Sequence, residues 1–195
     1  QYTQYMLNQY GINPAFAGLK KCLDIRMGYR MQWVGFDGAP RTAFVNGNAR
    51  IFRRKTHHRY KHGIGARIVA DATGATSRTF LNVGYAFHMP AGRKLNMAMG
   101  ISAGFLQYRY DAASVFVFNT ADPAIGGSAA TFIVPDIDAG LLLYNEKVYF
   151  GFALKQVGRN SIRKIFPDSR LTHHFSFNFG KSFSRSDKFA IVPSV

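Results

Sequence analysis

The densest group of chemically active side chains is a basic run between residues 53 and 62. It combines one tyrosine and three histidines with five cations, which are Arg53, Arg54, Lys55, Arg59 and Lys61. Cations beside an aromatic ring could hold phosphates and stack a base, as a nucleic-acid site does. The same residues could equally form a solvated turn between two strands, and a turn alone offers no groove for nucleic acid. We therefore predict a basic turn and no nucleic-acid partner.

The other reactive side chains do not form a recognisable site. The doublets His57-His58 and His173-His174 tempt a metal interpretation, but neighbouring residues on a strand point to opposite faces and cannot chelate as a pair. Cys22 is the only cysteine, and the ten acidic residues are scattered along the chain. No glycine-rich phosphate motif opens a helix. The sequence therefore predicts no catalytic residue, no cofactor and no metal.

The composition favours a folded chain with an acidic or anionic partner. The 195 residues carry 25 Lys and Arg against 10 Asp and Glu, a net charge of +15, yet 47% of them are apolar and 15% aromatic. A membrane-spanning helix needs about 18 consecutive apolar residues, and charges, Asn, Gly or Pro interrupt every apolar run well before that. Helical membrane spanning is therefore excluded.

The elements that must position these side chains are β-strands. From Leu23 to Trp33, apolar or aromatic residues alternate with polar residues and glycine, which is the period of a strand with two different faces. Similar alternation recurs and predicts about nine strands, the others being placed at 43–51, 64–71, 81–89, 95–105, 137–144, 148–155, 171–183 and from 188 onward.

Alternation alone does not say which face is inside. A soluble barrel or sandwich buries the apolar face, whereas a membrane barrel turns it to lipid. The predicted connections are alternately long and mostly short, and aromatic residues such as Tyr144 and Tyr149 gather near strand ends as in interfacial girdles. We therefore favour an all-β, antiparallel transmembrane β-barrel. Its polar face would carry lumen charges, which are Asp24, Arg26, Arg30, Arg50, Arg67 and Asp71, with Asp138 and Lys155.

This barrel implies a division of the chain. Residues 1–21 would form a periplasmic N-terminal segment, which could enter the lumen as a plug or dock a periplasmic partner, and residues 22–195 would form the barrel. Bacterial single-chain barrels have an even strand number. We therefore expect the barrel to be incomplete at the C-terminus, with 12–14 strands in the complete protein.

Several motifs carry a resemblance to a known family. The chain has QYMLN at residues 4–8, INPAFAG at residues 12–18 and YRMQWVGFDGAP at residues 29–40. These resemble the start and the first-strand signature of the PorP/SprF family of the Bacteroidetes type IX secretion system. The resemblance implies a non-enzymatic outer-membrane barrel. It would help to export or anchor a secreted cargo, such as a large adhesin with a C-terminal sorting domain, in the setting of gliding motility.

Two connections are the best candidates for contact with cargo or partner. The first connection holds Trp33, Phe36, Asp37 and Pro40, and the 25-residue connection predicted from Asp111 to Pro135 holds Phe116 and Phe118. Connections of that length are uncommon unless functional or disordered, although the second could simply fold over the barrel mouth. The expected partners are the cargo, other secretion or gliding components and outer-membrane lipid. The alternative function is an outer-membrane pore or transporter for small solutes.

Overall fold

The structure is a computed structural model that describes residues 8–51, 60–111, 130–157, 174–181, 183–186 and 189–191. Most of the predicted basic turn, from Arg53 to Arg59, lies outside these residues. So do Phe116 and Phe118 of the long connection, and the histidines at 57, 58 and 173.

One eight-stranded antiparallel sheet dominates the fold, and its strands follow one another in sequence order. It curls into half a barrel. The strands are β1 (Asp24–Met31), β2 (Arg41–Ile51), β3 (Lys61–Thr73), β4 (Thr76–Pro90), β5 (Asn96–Tyr110), β6 (Ala130–Tyr144), β7 (Val148–Lys155) and β8 (His174–Lys181). A separate two-stranded sheet pairs β9 (Phe183–Ser186) with β10 (Phe189–Ile191).

The two faces of the large sheet have opposite solvent exposure. Apolar side chains that alternate along the strands are exposed, as Met27 (76%), Val83 (62%) and Phe177 (65%) illustrate. The residues between them include Asn82 and Asp138, which are only 1% and 2% exposed. A soluble barrel would show the reverse. Exposed apolar side chains on one face and buried polar side chains on the other are typical of a membrane β-barrel. The predicted all-β, antiparallel barrel class is confirmed.

Two short helices precede the sheet. An α-helix, α1, spans Gln9–Ile12, and a 3-10 helix spans Pro14–Phe16. In the part of the chain that the structure describes, no helix has the length and apolar character needed to cross a membrane.

Several strand boundaries differ from the predictions, and three of these differences bear on the predicted connections. β1 ends at Met31, and Trp33 lies beyond it in a left-handed conformation with φ 52°. β6 begins at Ala130, so the last part of the predicted 111–135 connection is strand. Near the C-terminal end, β9 occupies a predicted turn and pairs with β10 outside the large sheet.

Candidate functional site

Residues 8–19, called the docked segment below, lie against the polar face of the sheet. Their buried side chains form the core cluster of the described structure, in which Tyr10, Ala15, Phe16 and Ala17 pack with Ala86, Ala98, Leu142 and Tyr144. The ring of Phe16 also meets Tyr149 edge-on, with centroids 5.7 Å apart. Tyr144 and Tyr149 therefore contact the docked segment, and their prediction as interfacial girdle residues was wrong.

Two asparagines give the docked segment its local shape. Asn8 caps α1, because its Oδ1 accepts a hydrogen bond of 3.0 Å from Gly11 N. Asn13 Oδ1 accepts one of 2.9 Å from Ala15 N and so caps the 3-10 helix, which begins with Pro14. The fixed φ of proline suits the first turn of a helix, where its missing N–H has no partner to lose. The INPAFAG sequence thus specifies a compact turn.

A row of glycines on the polar face lets the docked segment approach the sheet closely. A Cβ added at Gly100 would lie 2.3 Å from Ala15 N. At Gly63 it would lie 2.0 Å from Ala17 O. Such distances do not occur between real Cβ atoms and their neighbours. Similar clashes with the segment arise at other members of this glycine track, which comprises Gly63, Gly65, Gly84, Gly100 and Gly140. Only glycine permits this close packing.

Cationic side chains of the sheet bind the main-chain carbonyls of the docked segment. Gly11 O accepts hydrogen bonds from Arg67 Nη1 at 2.6 Å and from Lys155 Nζ at 3.0 Å. Further along, Arg50 donates through Nε to Gly18 O at 3.0 Å and through Nη2 to Leu19 O at 2.7 Å. These bonds satisfy carbonyls that the short helices leave without a partner.

Asn13 and His88 complete the attachment. Asn13 Nδ2 donates to Leu141 O and to Phe152 O, both at 3.1 Å, and so joins the segment to β6 and β7. His88 is 1% exposed, and its Nε2 lies 2.8 Å from Ala17 O while its Nδ1 lies 3.1 Å from Tyr144 Oη. Because a carbonyl only accepts, Nε2 carries the hydrogen.

A cluster of buried charges lies beneath the docked segment. Arg67 Nη2 is 3.0 Å from Asp138 Oδ2 and 4.0 Å from Asp136 Oδ2, and Asn82 donates to Asp136 at 2.8 Å. The two carboxylates are 2% and 5% exposed. Buried charges are tolerated when they are paired and hydrogen-bonded. These contacts fix the guanidinium that holds Gly11.

Burial also affects the tyrosine above this cluster. Tyr10 is 7% exposed and lines, with Arg67, Asn82 and Asp138 among others, a small cavity of about 10 Å³. Burial raises the pKa of Tyr10 to about 12, partly offset by the charge of Arg67. The docked segment therefore holds a neutral phenol against the charge cluster.

All eight residues named as lumen charges lie on the polar face. Arg50 and Arg67 contact the docked segment. Arg26 binds Asp24 through Nη2 at 3.0 Å, and Asp71 Oδ1 accepts from Thr42 Oγ1 at 2.6 Å. Arg30 lies on β1 opposite Thr42 of β2. Lys61, predicted in the basic turn, is the first residue of β3. Of the predicted lumen charges, the structure thus brings Arg50, Arg67 and Lys155 to the docked segment.

The first connection, residues 32–40, is a compact loop at one end of the sheet. Gln32 N donates to Pro40 O at 3.0 Å, and Gly38 O accepts from Gly74 N of the β3–β4 turn at 2.9 Å. Trp33 and Phe36 remain 72% and 76% exposed, and Asp37 is exposed as well. The loop therefore presents apolar side chains on an ordered backbone.

Sequence reasoning did not identify Asn8, Asn13, His88 or the glycine track as site residues. A usable signal was present, because Gly63 and Gly65 occupy alternate positions on the same face of β3. Small residues repeated on the polar side of neighbouring strands indicate that another part of the chain approaches closely there.

Comparison with known proteins agrees with this architecture. The family model for the type IX secretion system membrane protein PorP/SprF matches residues 1–195. The comparison with curated proteins gave no match, and neither did the comparison with solved structures. The match covers the docked segment and the whole sheet, so the chain belongs to the PorP/SprF family of type IX secretion system membrane proteins.

Proposed function

We propose that the protein is an outer-membrane barrel that helps to export or anchor a secreted cargo of the type IX system, such as a large cell-surface adhesin with a C-terminal sorting domain. The family is one of secretion-system membrane proteins and is not a known enzyme family, so the proposed role is to bind or transport protein. The outward apolar face supports contact with lipid, and the docked segment would enter from the periplasmic side in a setting of protein secretion and gliding motility.

The observation that carries this proposal is the covered polar face. A solute pore needs an open polar lumen. Here residues 8–19 occupy the middle of the polar face, where the glycine track and Arg67 hold them. This arrangement favours a closed barrel that acts through its surfaces over the alternative of a pore or transporter for small solutes.

Bilayer conductance of the purified, full-length protein distinguishes the two functions. A closed barrel that co-purifies with an adhesin supports the anchor. A steady conductance in the intact protein, with no cargo retained by cells that carry it, would support the pore instead.

The loop of residues 32–40 is the proposed cargo contact at the outer mouth. Its ordered backbone presents Trp33 and Phe36 without an ordering penalty, and such aromatic anchors dominate many interfaces. The paired change Trp33→Ser and Phe36→Ser should release cargo into the medium. Leu95→Ser changes an exposed apolar residue near the opposite end of the sheet and serves as the control. Normal cargo retention by a correctly folded double variant would contradict this contact.

The basic run is proposed to lie on the periplasmic side and to bind another secretion or gliding component or anionic lipid. Arg53, Arg54, Lys55 and Arg59 follow β2 in the sequence, and β2 ends at the same end of the sheet as the exposed Arg93 and Lys94. Changing the four to glutamine should weaken co-purification of periplasmic components, whereas the same change at Arg93 and Lys94 should have less effect. Equal co-purification in all variants would remove this role. No nucleic-acid partner is proposed.

A further inference from the structure

The contacts of the docked segment are those of a peptide in a binding groove. In the described residues, each hydrogen bond that joins it to the sheet uses a side chain on at least one partner, as in Arg67 to Gly11 O and Asn13 to Leu141 O. Its own backbone bonds are internal, such as Asn13 N to Gln9 O. The segment can therefore leave without breaking a strand ladder.

The groove binds its ligand through main-chain carbonyls and limits the size of the ligand's side chains. Arg50, Arg67, Lys155 and His88 all contact main-chain carbonyls, which any peptide carries. At Gly63 and Gly100 the glycine track leaves room for a backbone with small side chains only, since Ala15 and Ala17 are both 0% exposed. Asn13 adds one specific contact through its amide. The preferred ligand class is thus a short peptide with small residues after an Asn-Pro pair.

The resident segment does not use all the polar groups of the groove. Asn46 Oδ1 and Asn82 Oδ1 lie on residues that are 1% exposed, and neither has a hydrogen-bond partner within the described structure. Asn46 contacts the segment directly, because its Nδ2 donates to Asn8 Oδ1 at 2.7 Å, and Asn82 lines the cavity beside Tyr10. Unused buried acceptors are costly, so they indicate a groove that can pair with donors of another ligand.

We propose that the polar face is an exchangeable peptide-binding site whose resident ligand is the chain's own residues 8–19, and that it accepts a separate peptide of the same chemistry. The tether to β1 consists of exposed residues 20–23, so it does not lock the segment in place. Because a tethered ligand has a high effective concentration, the site is occupied in the intact chain. This inference does not depend on the cargo role.

The test uses the full chain, folded before any cut is made. A protease recognition sequence is inserted between the exposed residues Lys21 and Cys22, and the purified protein is cut in detergent. A synthetic peptide of residues 8–21, labelled with a dye at Lys21, is then added, and its anisotropy is measured. We expect saturable binding to the cut protein and none to the uncut protein.

Matched peptides test the selectivity. Ala15→Trp adds a large ring at a residue that is 0% exposed, above Gly100, and should bind about tenfold to 100-fold more weakly, as overpacking predicts. Lys20→Trp adds the same ring at an exposed position and should bind like the original peptide. Failure of the cut segment to leave, equal binding of the two tryptophan peptides, or equal binding to cut and uncut protein would overturn the proposal.

Discussion

The close approach at Gly100 gives a quantitative test of how the docked segment is held. In Gly100→Ala, the new Cβ would lie 2.3 Å from Ala15 N and 2.4 Å from the carbonyl carbon of Pro14. Ordinary van der Waals contact begins near 3.4 Å, so the segment must move away from the sheet by about 1 Å. Both contacts are with backbone, so rotation of a side chain cannot relieve them.

The size of the effect follows from the bonds that this movement stretches. Asn13 Nδ2 donates to Leu141 O and Phe152 O at 3.1 Å, and an added 1 Å takes both beyond hydrogen-bonding range. Each such bond contributes about 1 kcal/mol, and overpacking costs about 1–3 kcal/mol. We therefore expect docking to weaken by about 3 kcal/mol, or about 100-fold in the ratio of docked to undocked protein.

Hydrogen–deuterium exchange with mass spectrometry measures this ratio on residues 8–19. The amides of Phe16, Ala17 and Leu19 donate within the docked segment, and undocking should expose them. Gly47→Ala is the matched control, because its Cβ would lie on the opposite face, 3.8 Å from Ile25 Cγ1. Unchanged protection in a Gly100→Ala protein whose gel mobility remains heat-modifiable would refute the reasoning.

Three further predictions follow from the buried groups and the apolar face. Asp138→Ala removes the closest carboxylate partner of the buried Arg67 and should cost about 3–5 kcal/mol. Unfolding by urea in detergent should show less loss in the Arg67→Met and Asp138→Leu double variant. Ile101→Arg should lower the stability of the inserted barrel by about 2–4 kcal/mol, the cost of a charge that faces lipid near the bilayer midplane. Leu95→Arg should lower it less. Equal stability of the two variants would argue against lipid contact at Ile101. Because docking raises the pKa of Tyr10 to about 12, ionisation of Tyr10 favours the undocked state as pH rises from about 10 to 12. An ultraviolet titration should show this tyrosine ionising after the others, and the Tyr10→Phe variant should lack that late step.

The strands and their two faces could be predicted because the period of a strand is local. The alternation from Leu23 to Trp33 predicts both the existence of β1 and the separation of Asp24 and Arg26 from the apolar side. The boundary was harder to place, because it depends on loop geometry. Trp33 continues the apolar alternation, but its left-handed backbone and the bond between Gln32 N and Pro40 O end the strand before it.

The docked segment could not be placed from sequence. Its anchors join residues far apart along the chain, 128 positions for Asn13 with Leu141 and 144 for Lys155 with Gly11. No local pattern records such a pairing. The predicted lumen charges Arg50 and Arg67 were chosen for their face alone, and only the fold gave them their partners on the segment.

The sequence by itself determined most of the strands, the alternation of their faces and the resemblance that led to the family. The first two are properties of neighbouring residues, and the third rests on short motifs. The tertiary structure decided which face is outward, because only the sheet with residues 8–19 against it shows that the polar side is buried and the apolar side exposed. It also decided that the glycines of β3 to β6 serve one purpose. Registered side by side, they form a surface flat enough for another backbone to lie on.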